Sequence, residues 1–172
     1  MSKPVMNYSY DTAIPAWLCA GILKLARDCS DFKFKRMAWV HFEYREKQLS
    51  THAWASITKH PHRRKSKYVH QLLHPPRVNV GYFRDYQERC RWWLAWRVSA
   101  MAHELTHISD AQNGLRFSRH STPHGQRIQE IRAEAAEQVT MVAIFCKLKH
   151  RKRFDRLAKR VANMTDKRWC KP

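Results

Sequence analysis

Residues 101–112 read MAHELTHISDAQ and carry His103, Glu104 and His107 in the order H-E-x-x-H. Side chains four apart on a helix share one face, so both imidazoles can point to one place. Two imidazoles from one helical turn supply two ligands to a zinc ion. A catalytic zinc takes three protein ligands and leaves a fourth position for water. A glutamate directly after the first histidine then lies beside that water, where it can act as general base and pass the proton to a leaving amine. The spacing therefore predicts His103 and His107 as zinc ligands and Glu104 as the base of a hydrolytic site.

The third ligand is open at this level. His124, in TPHGQRI, follows a loop and opens the next helical segment, from which it can return to the metal. Glu130, in QEIRAEAAE, is the alternative, with Glu134 one turn further on. Glu130, Glu134 and Glu137 form an acidic face in a basic chain. Without a metal, that face reads as a solvated stripe pairing with Arg127 and Arg132.

These residues need elements to hold them. Residues 84–112 show one apolar stripe, Leu94, Val98, Met101, Leu105 and Ile108, at helical spacing. Asn113–Gly114 is a stop signal for that helix. An earlier helix is expected over 13–29, with Ile14, Trp17, Leu18, Ile22 and Leu25 inward, Pro15 in its first turn, and Asp11 or Thr12 as cap. A third is expected over 125–149, with Ile128, Ile131, Ala135, Val139, Val142 and Cys146 facing the core. Alternating aromatic and β-branched residues predict three strands, over 37–45, 51–59 and 77–83. Residues 60–67, HPHRRKSK, read as a basic loop between the last two. Trp92, Trp93 and Trp96 read as core.

The chain has 172 residues, 33 Lys+Arg and 14 Asp+Glu, for a formal charge of +19. That balance suits a polyanion, and nucleic acid is the expected one. The phosphate-contact candidates are Arg63, Arg64, Lys65 and Lys67 in the basic loop and Arg151, Lys152 and Arg153 in the C-terminal segment. The five cysteines are odd in number and form no C-x-x-C, which argues against a disulfide framework and a cysteine zinc ribbon. Reduced thiols, no signal-peptide pattern and no long apolar run predict a cytoplasmic protein without membrane spans.

HELTH followed by PHGQRI resembles the SprT-like metallopeptidases, through His103, Glu104, His107, His124, Gly125 and Ile128. The resemblance covers residues 77–140. It implies a zincin-type fold, zinc peptidase chemistry and a third ligand from the next helix. It also implies substrates that are bound or crosslinked to DNA. The E-x-x-A-E string at Glu130–Glu134 is similar to zincins whose third ligand is a glutamate.

The expected architecture is α+β and zincin-like: a small three-stranded sheet, an active-site helix, further packing helices and a basic C-terminal helix. A metallopeptidase domain is expected over 1–150 and a basic tail over 151–172. The expected function is zinc-dependent hydrolysis of a protein or peptide near nucleic acid, with the strand at 77–83 pairing with the substrate. The alternative is a non-catalytic nucleic-acid-binding protein, of phage or mobile-element type, with a structural or vestigial zinc site.

Overall fold

Among the described residues of the computed structural model, the elements in chain order are β1 (Met6–Tyr10), α1 (Ala16–Cys29), β2 (Ala38–Tyr44), β3 (Ala55–Lys59), β4 (Lys67–Leu73), α2 (Tyr86–Gln112), α3 (Pro123–Cys146) and α4 (Leu148–Ala162). The structure describes residues 6–35, 38–45, 55–59, 67–76, 82–115 and 123–164, and of residues 55–59, 67–70 and 123–125 it describes the backbone.

The architecture is α+β, with one correction to the sheet. Among the described residues it has four strands, in the order β1-β2-β4-β3. β1, β2 and β4 run parallel, and β3 runs antiparallel to β4 at one edge, with Ala55 opposite Gln71 and Lys59 opposite Lys67. The strands expected over 37–45 and 51–59 correspond to β2 and β3. The strand expected over 77–83 is not found where it can be followed: Tyr82 lies in a turn and is 82% exposed, and 77–81 lie outside the described residues. β4 instead begins at the end of the segment read as a basic loop. Its sequence, KYVHQLL, opens on a lysine and lacks clean alternation, so periodicity did not mark it.

Burial of apolar residues explains the packing. Leu94, Val98, Met101, Leu105 and Ile108 are all fully buried, as the helical stripe requires. They meet Leu18, Ile22 and Leu25 of α1 and Val40 and Phe42 of β2 in one core. The start of α2 is fixed by a reciprocal cap. Asp85 accepts a hydrogen bond from the Glu88 N–H at 2.6 Å, and Glu88 accepts one from the Arg84 N–H at 3.1 Å. Its end is fixed by Asn113 and by Gly114, whose φ of 83° is open to a residue without a Cβ.

Two other expectations change. Pro15 occupies the cap position of α1, with no side-chain cap, and Asp11 instead accepts from the Tyr44 N–H at the end of β2. The α3 stripe expected in the core is largely outside it: Ile128, Ile131, Val139 and Val142 are exposed, whereas Ala133, Thr140, Ala143 and Ile144 are buried. Helical spacing marks a common face but not which face meets a neighbour. Trp92 and Trp96 are likewise exposed, and only Trp93 packs inward, donating from its indole N–H to the His74 carbonyl at 2.7 Å.

α4 runs across the boundary expected at residue 150. Phe154, Ala158 and Val161 belong to the same core as α1 and α2. Leu157 packs so closely on Gly21 of α1 that a Cβ there would stand 2.7 Å from its terminal methyl and displace it.

Burial also governs the thiols. It pushes Cys19 up to about 12 and Cys29 up to about 11, from an ordinary value of 9.0. A thiol whose folded pKa exceeds its unfolded one stabilises the fold below pH 9 relative to higher pH, and that contribution is lost as pH rises through 11 to 12. A thiol reagent at pH 8 should therefore modify exposed Cys146 at once, and Cys19 and Cys29 only on unfolding. The melting temperature should fall above pH 9, less steeply in Cys19→Ala. Rapid native labelling of Cys19 in a Cys146→Ser, Cys170→Ser background would contradict this.

Candidate metal centre

His103 and His107 lie one turn apart on α2, and their Nε2 atoms approach to 3.2 Å. α3 runs antiparallel beside them. The pairing is fixed at three levels, by Trp92 against Phe145, His103 against Glu137, and Asp110 against Arg132. This register brings Glu130 over the histidine pair. One carboxylate oxygen is 3.4 Å from the His103 Nε2 and the other is 3.5 Å from the His107 Nε2.

Those separations test whether an ion fits. Ligands about 2.0–2.1 Å from a tetrahedral zinc stand roughly 3.3–3.4 Å from one another. The two imidazole nitrogens, at 3.2 Å, match that span; Glu130 turns one oxygen to each ring, and one donor atom from each of the three residues lies within 4.8 Å of the others. Two imidazoles and one carboxylate suit a zinc-like transition metal rather than calcium or magnesium, which prefer all-oxygen shells. His103, His107 and Glu130 thus form a group able to hold a metal ion. The side chains of His103 and His107 are 19% and 15% exposed and that of Glu130 is 56% exposed, so the cluster opens to solvent on the α3 side.

Two more carboxylates complete the site. Glu137 lies 3.4 Å from the His103 Nδ1, the ring nitrogen turned away from the cluster. A carboxylate there fixes the tautomer and ring orientation of a metal-binding histidine. The Glu137 hydrogen bond is also the main reason His103 is held above its ordinary pKa, against an opposing effect of burial. Glu104 is half-buried beside His103. Burial pushes its carboxyl up to about 7 from 4.5; His103 opposes the rise, and Glu130 and Glu137 add to it.

An ion pair anchors α3 in this position. Arg132 forks onto Asp110 with bonds of 2.8 and 2.9 Å. Asp110 is 4% exposed, and Arg132 sits two residues from Glu130. Removing Arg132 leaves a buried carboxylate short of donors, a loss on the order of 1–3 kcal/mol.

Of the third-ligand candidates among the described side chains, Glu130 is brought to the histidines. The side chain of His124 lies outside the described residues. Glu134 is exposed and is not part of the cluster. The acidic face of α3 is therefore no simple solvated stripe: Glu130 and Glu137 face the imidazoles, and Arg132 pairs with Asp110. Glu137 was visible in the sequence only as a member of that face. Its i+7 relation to Glu130, two turns along one side of α3, is the signal that places both against α2.

The nucleic-acid candidates divide. Arg63, Arg64 and Lys65 lie outside the described residues, and Lys67 is described as backbone at the start of β4. Lys152 is exposed, Arg151 lies 3.8 Å from Asp155, and Arg153 pairs with Asp28. Comparison with protein-family models, curated proteins and solved structures returns no match.

Equilibrium dialysis against zinc should load about one ion per chain, as three converging donors require. Glu130→Ala should abolish loading and His124→Ala should retain it. Glu137→Gln should weaken binding about 10–100-fold, the usual effect of losing such a supporting carboxylate. Retained loading in Glu130→Ala with loss in His124→Ala would reassign the third ligand.

Proposed function

We propose that this chain is a zinc-dependent peptidase of zincin type, with His103, His107 and Glu130 as metal ligands and Glu104 as general base. The observation that carries the reading is the convergence of the three donor groups, with the Glu104 carboxylate next to His103 on the same helix. A zinc ion held there would supply Lewis acidity toward a peptide carbonyl and toward water. Glu104, with its carboxyl raised to about 7, can take up and release a proton near neutrality. It would deprotonate the attacking water and return the proton to the departing amine nitrogen. Glu137 keeps the His103 ring oriented.

The substrate strand has a place to pair. β3 is an antiparallel edge strand lying against α2. An extended peptide adding to that edge would run beside the H-E-x-x-H helix. Most of the segment first expected in that role, 77–83, lies outside the described residues. The likeness to SprT-like peptidases supports zinc peptidase chemistry through His103, Glu104 and His107. A glutamate as third ligand departs from it and favours the zincins that use one.

Glu104→Gln should lower kcat for peptide cleavage about 10²–10⁴-fold, the usual worth of a general base. Zinc loading should be unchanged. Full activity in the zinc-loaded variant would refute the assignment.

A specific observation favours nucleic acid as a second partner. α4 presents exposed Lys152, Arg156, Lys159 and Arg160 opposite its buried Phe154, Ala158 and Val161. With Pro15, Trp17, Asn163 and Met164, three of these cations line a groove of about 560 Å³, and Arg160 lies 4.1 Å over the Trp17 ring. Cations beside an aromatic face suit phosphates and a stacked base. Binding to single-stranded DNA should weaken steeply with salt, and each phosphate contact removed by Lys152→Ala, Arg156→Ala or Lys159→Ala should flatten the log–log slope by about 0.7. An unchanged slope in the triple variant would place the contacts elsewhere.

No helix among the described residues is long and apolar enough to cross a membrane.

A further inference from the structure

α2 turns a line of aromatic side chains outward beside the metal centre. Trp92 and Trp96 are 41% and 56% exposed. They stand four residues apart, and His103 and His107 continue the same helix face, seven and eleven residues beyond Trp96. Large apolar side chains scattered singly over a surface need no explanation, but a contiguous patch does. This patch is contiguous, because Phe145 of α3 meets Trp92 with ring centroids 5.6 Å apart.

The aromatic line is backed by the core. Phe145 stands edge-on to Phe154, with centroids 5.4 Å apart, and Phe154 is fully buried. Trp92 and Phe145 thus make a supported floor. Over it lies a groove of about 470 Å³, walled by Asp85, Gln87, Glu88 and Arg91. Asp85, Gln87 and Trp92 are exposed, so the groove is open to solvent.

Charge and position together name the occupant. Arg91 is engaged by Asp155 at 3.0 Å, which leaves the Asp85 and Glu88 carboxylates to set the charge of the groove wall. At the other end of the line stand Glu104, Glu130 and Glu137. A nucleic acid laid along the line would meet carboxylates at both ends. A polypeptide carrying an apolar side chain meets no such repulsion, and its Lys or Arg residues are attracted.

The line also shares its helix face with the metal ligands, so a chain that crosses the metal centre along α2 lies on it. Trp96 is seven residues from His103 and Trp92 is eleven, about 10.5 and 16.5 Å along the axis. An extended peptide advances about 3.3–3.4 Å per residue, so these distances are roughly three and five substrate residues.

We propose that Trp92, Trp96 and Phe145 form a hydrophobic binding surface that selects polypeptide substrates by a large apolar side chain three to five residues from the bond cleaved. The cleavage preference rests on the peptidase reading above; capture of an apolar peptide side chain does not.

Two experiments separate them. In the first, the zinc-loaded wild type and the Trp92→Ala, Trp96→Ala double variant are given a peptide library. Wild type should enrich Leu, Ile, Phe or Trp at one fixed position, three to five residues from the cut. It should prefer a Leu peptide to its Ser counterpart at least tenfold in kcat/KM, mainly through KM, as burial of a large aliphatic side chain supports. The double variant should cleave the two peptides within threefold of each other. In the second, Glu104→Gln protein labelled with 5-fluorotryptophan is followed by ¹⁹F NMR at fixed ionic strength. The Trp92 and Trp96 resonances are assigned by Trp→Phe replacement. Acetyl-Lys-Ala-Leu-Ala-Lys-amide, its Ser counterpart and an oligothymidylate are added in turn, and the protein alone is diluted.

Movement of the Trp92 and Trp96 resonances with the Leu peptide and not the Ser peptide supports the surface. Movement with the oligothymidylate and not the Leu peptide gives the aromatics to a nucleobase and overturns it. Movement on dilution, with a dimer in sedimentation, gives them to a second copy of the chain and overturns it. Silence toward every addition, or undiminished preference for the Leu peptide in the double variant, also overturns it. No cleavage of any peptide alongside a Leu-specific shift overturns the peptidase reading and leaves the surface standing. Should the double variant melt well below wild type, the NMR arm decides, because it keeps both indoles in place.

Discussion

The antiparallel seating of α3 on α2 is the constraint on which the site depends. Neither helix holds enough donors alone: α2 supplies His103 and His107, and α3 supplies Glu130 and Glu137. The Asp110–Arg132 fork fixes the register within two residues of Glu130. The arrangement carries an electrostatic cost of its own. Of 14 acidic residues in a chain with 33 basic ones, Glu104, Glu130 and Glu137 converge on one spot. Burial is the main reason the Glu104 carboxyl is raised, and the other two carboxylates add to the rise, as like charges held together do. A divalent cation at the His103–His107–Glu130 group would offset that repulsion, so the chemistry of the donors and the field around them favour the same occupant.

The rest of the fold makes that seating rigid. The buried stripe from Leu94 to Ile108 fixes the rotation of α2 against α1 and the sheet, so that the histidine face turns toward α3. The reciprocal Asp85–Glu88 cap and the Gly114 stop set where α2 begins and ends, and hence where the H-E-x-x-H turn falls along it. Burial of each large aliphatic side chain in that stripe contributes about 1.5–3 kcal/mol. A site built from helix interiors rather than loops inherits this precision.

The sequence is most informative where local geometry decides and least where packing between elements decides. His103 and His107 were legible because an i, i+4 pair faces one way on any helix. The buried stripe of α2 was legible for the same reason. The third ligand was not, because His124 and Glu130 both follow the motif at workable distances, and only the rotation of α3 carries Glu130 to the histidines. That rotation runs against hydrophobic expectation. α3 turns Glu130, Ala133, Glu137 and Thr140 inward and leaves Ile131, Val139 and Val142 exposed. Small residues permit the close approach, and the Asp110–Arg132 pair adds a polar tie that hydrophobic periodicity does not record. β4 was missed for a related reason: buried between β2 and β3, it needs no alternation, and its basic start disguised it.

α2 also separates two kinds of charge. Its N-terminal half meets the basic helix, through Arg91 on Asp155 at 3.0 Å, and its C-terminal half carries the acidic cluster. Arg91 and His103 are twelve residues apart, or about 18 Å along the axis. A polyanion drawn to α4 would thus sit beside the metal centre without entering it, and the carboxylates there would repel it. On the proposed reading, this division gives the positive field a task distinct from catalysis. It holds nucleic acid on one face, and with it any protein attached, while the site selects peptide.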